Sequence, residues 1–280
     1  MSAPPLFDEP ARIARRERAA RAAGERVFAD RAWADVEDRI RDNARRFESA
    51  LLLGALDAGW RDRLAGLVGR VDVVDPAPLL ATRTGGVAAA EHALPAAPAS
   101  YDLVVAAGTL DSAAALPAAL LGIRRLLRPD GLLLGAVAGA GSLPRLRAAL
   151  LAADELAGAA APRIHPALDP RTLGDLLAKT GYVLCVVDVD RVRVGYGRAL
   201  SLVRDLRVHG ATNILARRSR RPLLRRDLAA IEAAFAPNGR AYEEVNILHF
   251  SAWTPGPNQP QPAKPGSATA SLAAALKPPR

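Results

Sequence analysis

Apolar residues follow two different patterns in the first half of the chain. Between residues 10 and 47 they recur at rough helical spacings among charged residues, which predicts two helices. From residue 48 onward, helical segments alternate with the continuous apolar runs "ALLLG", "VDVVD", "YDLVVAAG" and "LLLGAVAG". Strands that are apolar throughout are buried on both faces, as in a parallel sheet covered by helices. We therefore expect a doubly wound α/β fold.

The second half of the chain adds a strand pair and a helical insert. The long run "YVLCVVDVDRVRV" and the alternating run "AYEEVNILHFSAW" are predicted to pair with each other. Between them, a mostly helical insert is expected over about residues 196–236. The pattern thus predicts an N-terminal helical arm over 1–47, a core domain over 48–253 that includes the insert, and a Pro-rich mobile tail over 254–280.

Composition narrows the class of protein only slightly. The chain has 280 residues, 50% of them hydrophobic, which is enough for one sizeable core. Lys and Arg outnumber Asp and Glu by 38 to 29, and the excess is mostly Arg, which a GC-rich genome explains as well as an anionic partner does. The single cysteine, Cys185, excludes a disulfide within the chain and argues against a cysteine metal site, so we predict no metal.

The sequence favours a soluble bacterial protein of the cytoplasm. Apolar runs are too short to cross a bilayer, and the N-terminus lacks the order of a secretory signal. The Arg- and Ala-rich start is similar to an organelle transit peptide, but Asp8, Glu9, Glu17 and Glu25 argue against one.

A ligand site is expected where the first strands end. In an open parallel sheet, ligands bind beyond the carboxyl ends of the strands. The turn "GALDAG" places Gly54 and Gly59 there, and Asp75 ends the next strand, where an acid can accept hydrogen bonds from ribose hydroxyls. The turn keeps only the outer two of the three glycines that a nicotinamide site uses. The turn alone therefore fits either a nucleotide-binding site or an α/β domain that has no ligand site.

Motifs after this turn resemble those of the class I S-adenosylmethionine (SAM) methyltransferases. They are Leu94-Pro95 before the fourth strand, "YDLVVAAGTL" from Tyr101 to Leu110, and "LRPDG" from Leu127 to Gly131. This resemblance implies a Rossmann-like class I methyltransferase fold and SAM as the cofactor.

Segments along nearly the whole chain resemble a narrower group, the methyltransferase-like assembly factor of respiratory complex I and its alphaproteobacterial relatives. They include "LFDEPARIARRERAAR", "GSLPRLRAALLAADE", "PRIHPALDPRTLGDLLAKTGY", "DLRVHGATNILARRSRRPLLRRDL" and "PGSATASLAAALK". The resemblance implies a protein substrate or assembly partner, such as a complex I subunit. The mitochondrial factor is linked to hydroxylation of an arginine. The group is itself similar to the malonyl-acyl-carrier-protein O-methyltransferases of biotin synthesis, which is the alternative enzyme.

The cofactor motifs depart from the family pattern at several positions. Leu52 stands where members usually carry an aspartate, and a central glycine is replaced in the region of Leu56 and Asp57. Ala90 replaces the acid that usually contacts adenine, and "LDS" replaces "LHW" after the fourth strand. A third hypothesis is therefore a pseudoenzyme, a binding module that has the fold without the cofactor.

Glu91 and His92 lie beside Ala90 and are the nearest substitutes for its missing acid. The predicted cofactor-binding residues are Gly54, Ala55, Gly59, Asp75, Glu91, His92 and Gly108. Catalytic residues stay unassigned. His165 and His209 are expected on loops or helix ends, where a histidine can act as a base or simply bond a carbonyl. Asp111 fits a pocket or a helix N-cap, and His249 is expected to face solvent or a sheet neighbour.

The stretch "RRSRRPLLRR", residues 217–226, carries six arginines. It fits docking onto an acidic protein or an anionic membrane surface, and equally a solvated helix face. Aromatic residues are scarce there, so stacking on nucleic acid bases is disfavoured.

Overall fold

The computed structural model describes residues 5–158, 160–257 and 259; residues 260–280, most of the predicted tail, lie outside the described part. The helices of the described residues are Glu9–Arg21 (α1), Val27–Asp42 (α2), Gly59–Ala65 (α3), Pro78–Arg83 (α4), Leu116–Leu126 (α5), Pro144–Ala157 (α6), Pro170–Lys179 (α7), Ala199–Val208 (α8) and Arg225–Phe235 (α9). The strands are Ser49–Leu53 (β1), Arg70–Asp75 (β2), Val87–Ala88 (β3), Tyr101–Ala107 (β4), Leu127–Ala138 (β5), Val183–Tyr196 (β6) and Ala241–Trp253 (β7).

These strands form one sheet in the order β3-β2-β1-β4-β5-β7-β6. β3, β2, β1, β4 and β5 are parallel, whereas β7 runs antiparallel to both of its neighbours. The predicted pairing of the last two long strands is confirmed, with Asp190 of β6 opposite Ile247 of β7. The fold is the predicted Rossmann-like α/β architecture.

The central strands are buried on both faces, as their apolar runs predicted. Leu51 and Leu53 of β1 join a cluster on one face of the sheet that includes residues of α5 and α7. Leu52 joins a cluster on the other face, where Trp33 of α2 and Trp60 of α3 stack with ring centroids 4.7 Å apart. Successive side chains of β1 thus point to opposite faces of the sheet, and each face is covered by a different set of helices. In the described part of the chain, every helix is too short or too polar to span a bilayer.

Two segments add local detail to the sheet. The stretch after Asp75 contains α4 and β3. The "RPDG" segment lies within β5, which begins at Leu127 and continues past Asp130, a residue with φ of 60°. The register with β4 shifts between Tyr101 and Leu103, so the strand accommodates the turn-like residues as an irregularity.

The N-terminal segment is fastened to the insert that follows β6. Phe7 forms a β-bridge with Leu215. The Asp8 carboxylate accepts a hydrogen bond from the backbone N–H of Ala11, which caps α1, and ion-pairs with Arg218 and Arg220. The Ala11 hydrogen bond and then Arg218 hold the pKa of Asp8 below its ordinary value. The start of α1 is therefore held in place by residues about two hundred positions later.

Glycine substitutions test the packing of the sheet. A Cβ at Gly135 of β5 would lie 2.3 Å from the Phe250 ring and 2.6 Å from the carbonyl oxygen of Ala106. A Cβ at Gly174 of α7 would meet Val187 at an ordinary 3.8 Å. We expect Gly135→Ala to lower the free energy of unfolding by about 2 kcal/mol or more, and Gly174→Ala to raise it by about 0.5–1 kcal/mol. Urea unfolding of both variants checks this, and equal midpoints would contradict it.

Candidate functional site

Four of the predicted residues meet at the carboxyl ends of β1, β2 and β4. The Gly54 N–H donates to the Val74 carbonyl at 2.8 Å, and the Ala55 N–H donates to the Asp75 carboxylate at 3.0 Å. Gly54 and Gly108 have φ of 82° and 75°, in the left-handed region that favours glycine. We call this cluster of Gly54, Ala55, Asp75 and Gly108 the strand-end site.

Asp75 is 0% exposed and each of its oxygens accepts two hydrogen bonds. Oδ1 accepts from Nε of Arg16 at 3.2 Å and from the Ala77 N–H at 2.8 Å. Oδ2 accepts from Nη2 of Arg16 at 2.6 Å and from Ala55. A carboxylate offers about four lone-pair positions, so Asp75 is fully coordinated by the protein itself. Arg16 also donates to the carbonyl oxygen of Gly108 at 2.9 Å.

Glu91, the predicted substitute for the adenine-contacting acid, is paired in the same way. It is 1% exposed and binds the guanidinium of Arg12 through both carboxylate oxygens. The other N–H groups of Arg12 donate to Glu9, Ser112 and the Thr109 carbonyl. Burial disfavours the charge of Arg12, but Glu91 and Glu9 outweigh it and raise the pKa of Arg12 above its ordinary value.

Both arginines come from one face of α1. Arg12 and Arg16 are four residues apart, so their side chains leave the helix in the same direction. Ala19 lies on the same face of α1 and is fully buried. It belongs to the apolar cluster around Trp33 and Trp60. Composition had suggested only a general excess of arginine. The signal available in the sequence was the spacing R-x-x-x-R-x-x-A within an otherwise charged helix.

The remaining predicted cofactor residues are placed differently. Gly59 begins α3, where its N–H donates to the Asp57 side chain at 2.8 Å. His92 is exposed at the surface. At the strand-end site itself, a Cβ on Gly54 would lie 2.1 Å from Cγ2 of Thr109, so the Thr109 side chain packs directly on the glycine turn.

A cavity of about 570 Å³ lies next to the strand-end site, between α1, α2, the end of β5 and the insert. Phe28, Trp60, Leu146 and Ile247 form part of its apolar wall, and Gly108 opens onto it with free space where a Cβ would be. Volumes of this size accommodate a small molecule or a long side chain. Asp111 lines the cavity as part of a short 3-10 turn, Leu110–Ser112, and is not an α-helix cap.

Two histidines face the cavity with defined contacts. Nε2 of His165 accepts a hydrogen bond from the Ile214 N–H at 2.9 Å, and its ring packs edge-on against Phe7. Burial lowers the pKa of His165. Nδ1 of His209 lies 2.7 Å from the Asp205 carbonyl oxygen, and its Nε2 is buried without a hydrogen-bond partner among the described residues. These contacts fit a structural role for both histidines.

His249 does not face solvent, but the other expected placement is correct, because its Nε2 lies 3.9 Å from Asp190 of the neighbouring strand β6. It is 3% exposed, and its Nδ1 lies 2.9 Å from Asp35 of α2. Burial lowers its pKa, although Asp35 acts in the opposite direction. Cys185 lies half-buried in β6. Over the described residues, His, Cys, Asp and Glu side chains form no cluster of three that could hold a metal ion.

Comparison with known proteins agrees with this geometry. A methyltransferase domain model matches residues 54–135. The BH2331 protein of Bacillus halodurans superposes with a TM-score of 0.55 at 10% identity, covering 80% of this chain and 98% of that one. The sheet order, the glycine turn and the acid at the end of β2 thus define a protein of the class I methyltransferase fold.

The family within that class is also defined. The arginine-hydroxylase NDUFAF5 of Danio rerio, a mitochondrial protein, is 33% identical over 253 residues, which cover 85% of this chain and 78% of the relative. A malonyl-[acyl-carrier protein] O-methyltransferase of Laribacter hongkongensis is 32% identical over 165 residues, covering 58% of this chain and 54% of that protein. The chain belongs to the NDUFAF5 family, and it carries a methyltransferase domain.

The strand-end site in the described arrangement does not fit the cofactor that the fold implies. A ribose diol needs acceptor positions on the acid that ends β2, and all four positions of Asp75 are taken by Arg16, Ala55 and Ala77. Glu91 is likewise bound to Arg12. SAM can use these carboxylates only in a different arrangement of α1.

Removing one partner of a buried pair tests the docking of α1. Glu91→Ala leaves Arg12 buried without its principal counter-ion, so we expect the free energy of unfolding to fall by about 3 kcal/mol or more. Arg21→Ala on the same helix removes only an exposed pair with Glu17 at 3.6 Å, and we expect a change within about 0.5 kcal/mol. Chemical denaturation measures both, and a small effect of Glu91→Ala would show that α1 does not depend on this pair.

The histidines give stability a pH dependence of known sign. Because burial lowers the folded pKa of His165 and His249 below 6.5, the unfolded chain binds protons first as the pH falls. Their contribution to the free energy of unfolding is complete above pH 6.5. It is lost as the pH falls from 6.5 through the lower pKa values that the two histidines have in the folded protein. We expect NMR titration to give both histidines a pKa below 6.5, and His165→Gln to flatten the acid side of the stability profile. A folded pKa above 6.5 would reverse the sign.

Proposed function

We propose that this chain acts as an assembly factor of the respiratory complex I type, working on a protein substrate or partner in the bacterial cytoplasm. The supporting observation is the extent of the similarity to NDUFAF5, which covers 85% of the chain and continues well beyond the methyltransferase domain of residues 54–135. The segments outside that domain form α1, the insert and the long strand pair. Sequence similarity that extends beyond the methyltransferase domain is stronger support for a shared function than a shared fold is.

The cavity and the basic stretch, residues 217–226, are the surfaces that we assign to the partner. The cavity is deep and largely apolar, and it opens beside the strand-end site, so it suits a side chain presented by another protein. In the basic stretch Arg217, Arg221 and Arg225 are exposed, which favours an acidic partner surface or the anionic membrane where such a complex is assembled. We therefore place partner docking on the insert side of the molecule.

SAM is the cofactor that the methyltransferase domain implies for this function. Gly54, Ala55, Asp75 and Gly108 would be its neighbours if α1 moved. We assign no chemical step to the site, because α1 holds both carboxylates in the described arrangement. This same observation favours a second candidate, a binding module of the assembly-factor type that works without the cofactor.

The similarity to malonyl-[acyl-carrier protein] O-methyltransferase supports a third candidate, with an acidic carrier protein as substrate. The match is of comparable identity but spans only 54% of that relative, against 78% of NDUFAF5. A basic docking surface suits both kinds of partner, so growth without biotin has to separate them.

Deletion of the gene tests the assignment. We expect membranes of the deletion strain to lose most of their complex I activity, and the wild-type gene to restore it without added biotin. A biotin requirement with normal complex I would favour the O-methyltransferase instead, and neither phenotype would contradict both. The triple variant Arg217→Ala, Arg221→Ala, Arg225→Ala should restore activity poorly, whereas removal of three exposed arginines elsewhere, Arg61, Arg171 and Arg191, should not matter.

A further inference from the structure

The strand-end site is filled by the chain's own helix. Arg16 places a guanidinium between the Asp75 carboxylate and the Gly108 carbonyl, and Arg12 does the same between Glu91 and the Thr109 carbonyl. All of these partners are hydrogen-bond acceptors, and a guanidinium supplies only donors, in a planar fork that matches a carboxylate. The two arginines therefore bind both carboxylates and both carbonyl oxygens of this acceptor-rich surface.

An adenosyl ligand would need the same acceptors. A ribose diol donates two hydrogen bonds to the acid that ends the second strand of such a sheet. Asp75 is 0% exposed, and two of its four hydrogen bonds come from Arg16. The other two come from the backbone of Ala55 and Ala77, which belong to the site and would stay. Only withdrawal of Arg16 frees positions for a diol.

Among the contacts that hold α1, two groups matter here, one on its inner face and one at its start. Arg12 and Arg16 hold its inner face, while Phe7 and Asp8 fasten its start to Leu215, Arg218 and Arg220 of the insert. The contacts at the start of α1 do not include Asp75 or Glu91, so they can be weakened without altering either carboxylate. A variant at the start of α1 can therefore test whether α1 blocks the strand-end site while the site itself stays unchanged.

We propose that α1 is an internal occupant of the strand-end site, so that α1 and a ligand bearing a ribose diol exclude each other. The observed ligand affinity then equals the intrinsic affinity reduced by the fraction of molecules in which α1 has withdrawn. The insert, through its contacts with Asp8, controls that fraction. The proposal rests on the proposed function only for the choice of probe.

The test is calorimetric titration of the full-length protein with S-adenosylhomocysteine. We expect weak binding to the wild type, at least about ten-fold tighter binding to Arg16→Ala, and about five-fold tighter binding to Asp8→Ala, which loses the cap and the two ion pairs with the insert but keeps Arg16 and Asp75. Arg21→Ala, on the exposed side of α1, should match the wild type. Equal affinity for all four proteins, or no binding to any of them at millimolar ligand, would overturn the proposal.

Hydrogen exchange on the wild-type protein supplies a second measurement that needs no variant. If the ligand displaces α1, the amides of residues 9–21 exchange faster when S-adenosylhomocysteine is added at saturating concentration. Protection of these amides would mean that the ligand binds beneath α1, and it would overturn the proposal even if Arg16→Ala failed to fold. Loss of complex I activity in the deletion strain is measured separately, so failure here leaves the proposed function standing.

Discussion

The Asp75 carboxylate is the point at which the sheet, the glycine turn and the N-terminal helix are joined. It ends β2, accepts from Ala55 in the turn after β1, and binds the guanidinium of Arg16 in α1. A buried carboxylate is stable only when its lone pairs are filled, so each of these three parts depends on the position of the other two. The hydrogen bonds of Asp75 that dock α1 on the sheet therefore use the same carboxylate that a ligand would need.

The molecule consequently has two very different compartments at the carboxyl edge of its sheet. One is polar and filled by Arg12 and Arg16; the other is a largely apolar cavity of about 570 Å³ bounded by α1, α2, β5 and the insert, and the two arginines also line its wall. Gly108 lies between them, since its carbonyl accepts from Arg16 while its open side faces the cavity. The boundary between the two regions is thus formed by Gly108, just after β4, together with Arg12 and Arg16 of α1.

The fold was predictable because the pattern of apolar residues within each segment identifies that segment as a strand or a helix. Continuous apolar runs mark strands buried on both faces, and the strand pair β6–β7 followed from length and alternation. The occupant of the site was not predictable, because the partners of Arg12 and Arg16 lie 79 and 59 residues away and no local pattern specifies them. The departures from the family pattern have local consequences: Leu52 replaces a polar residue and is fully buried in the cluster around Trp33.

The bridge between Phe7 and Leu215 and the ion pairs of Asp8 with Arg218 and Arg220 have a consequence for how the molecule is made. Translation proceeds from the N-terminus, and the early part of a chain begins to fold before the rest exists. α1 is synthesised first, but the residues that fasten its start leave the ribosome only after some two hundred more have been added. Until then only contacts with earlier residues, such as the ion pair of Arg16 with Asp75, can hold α1 against the sheet, so the order of synthesis decides which of its contacts form first.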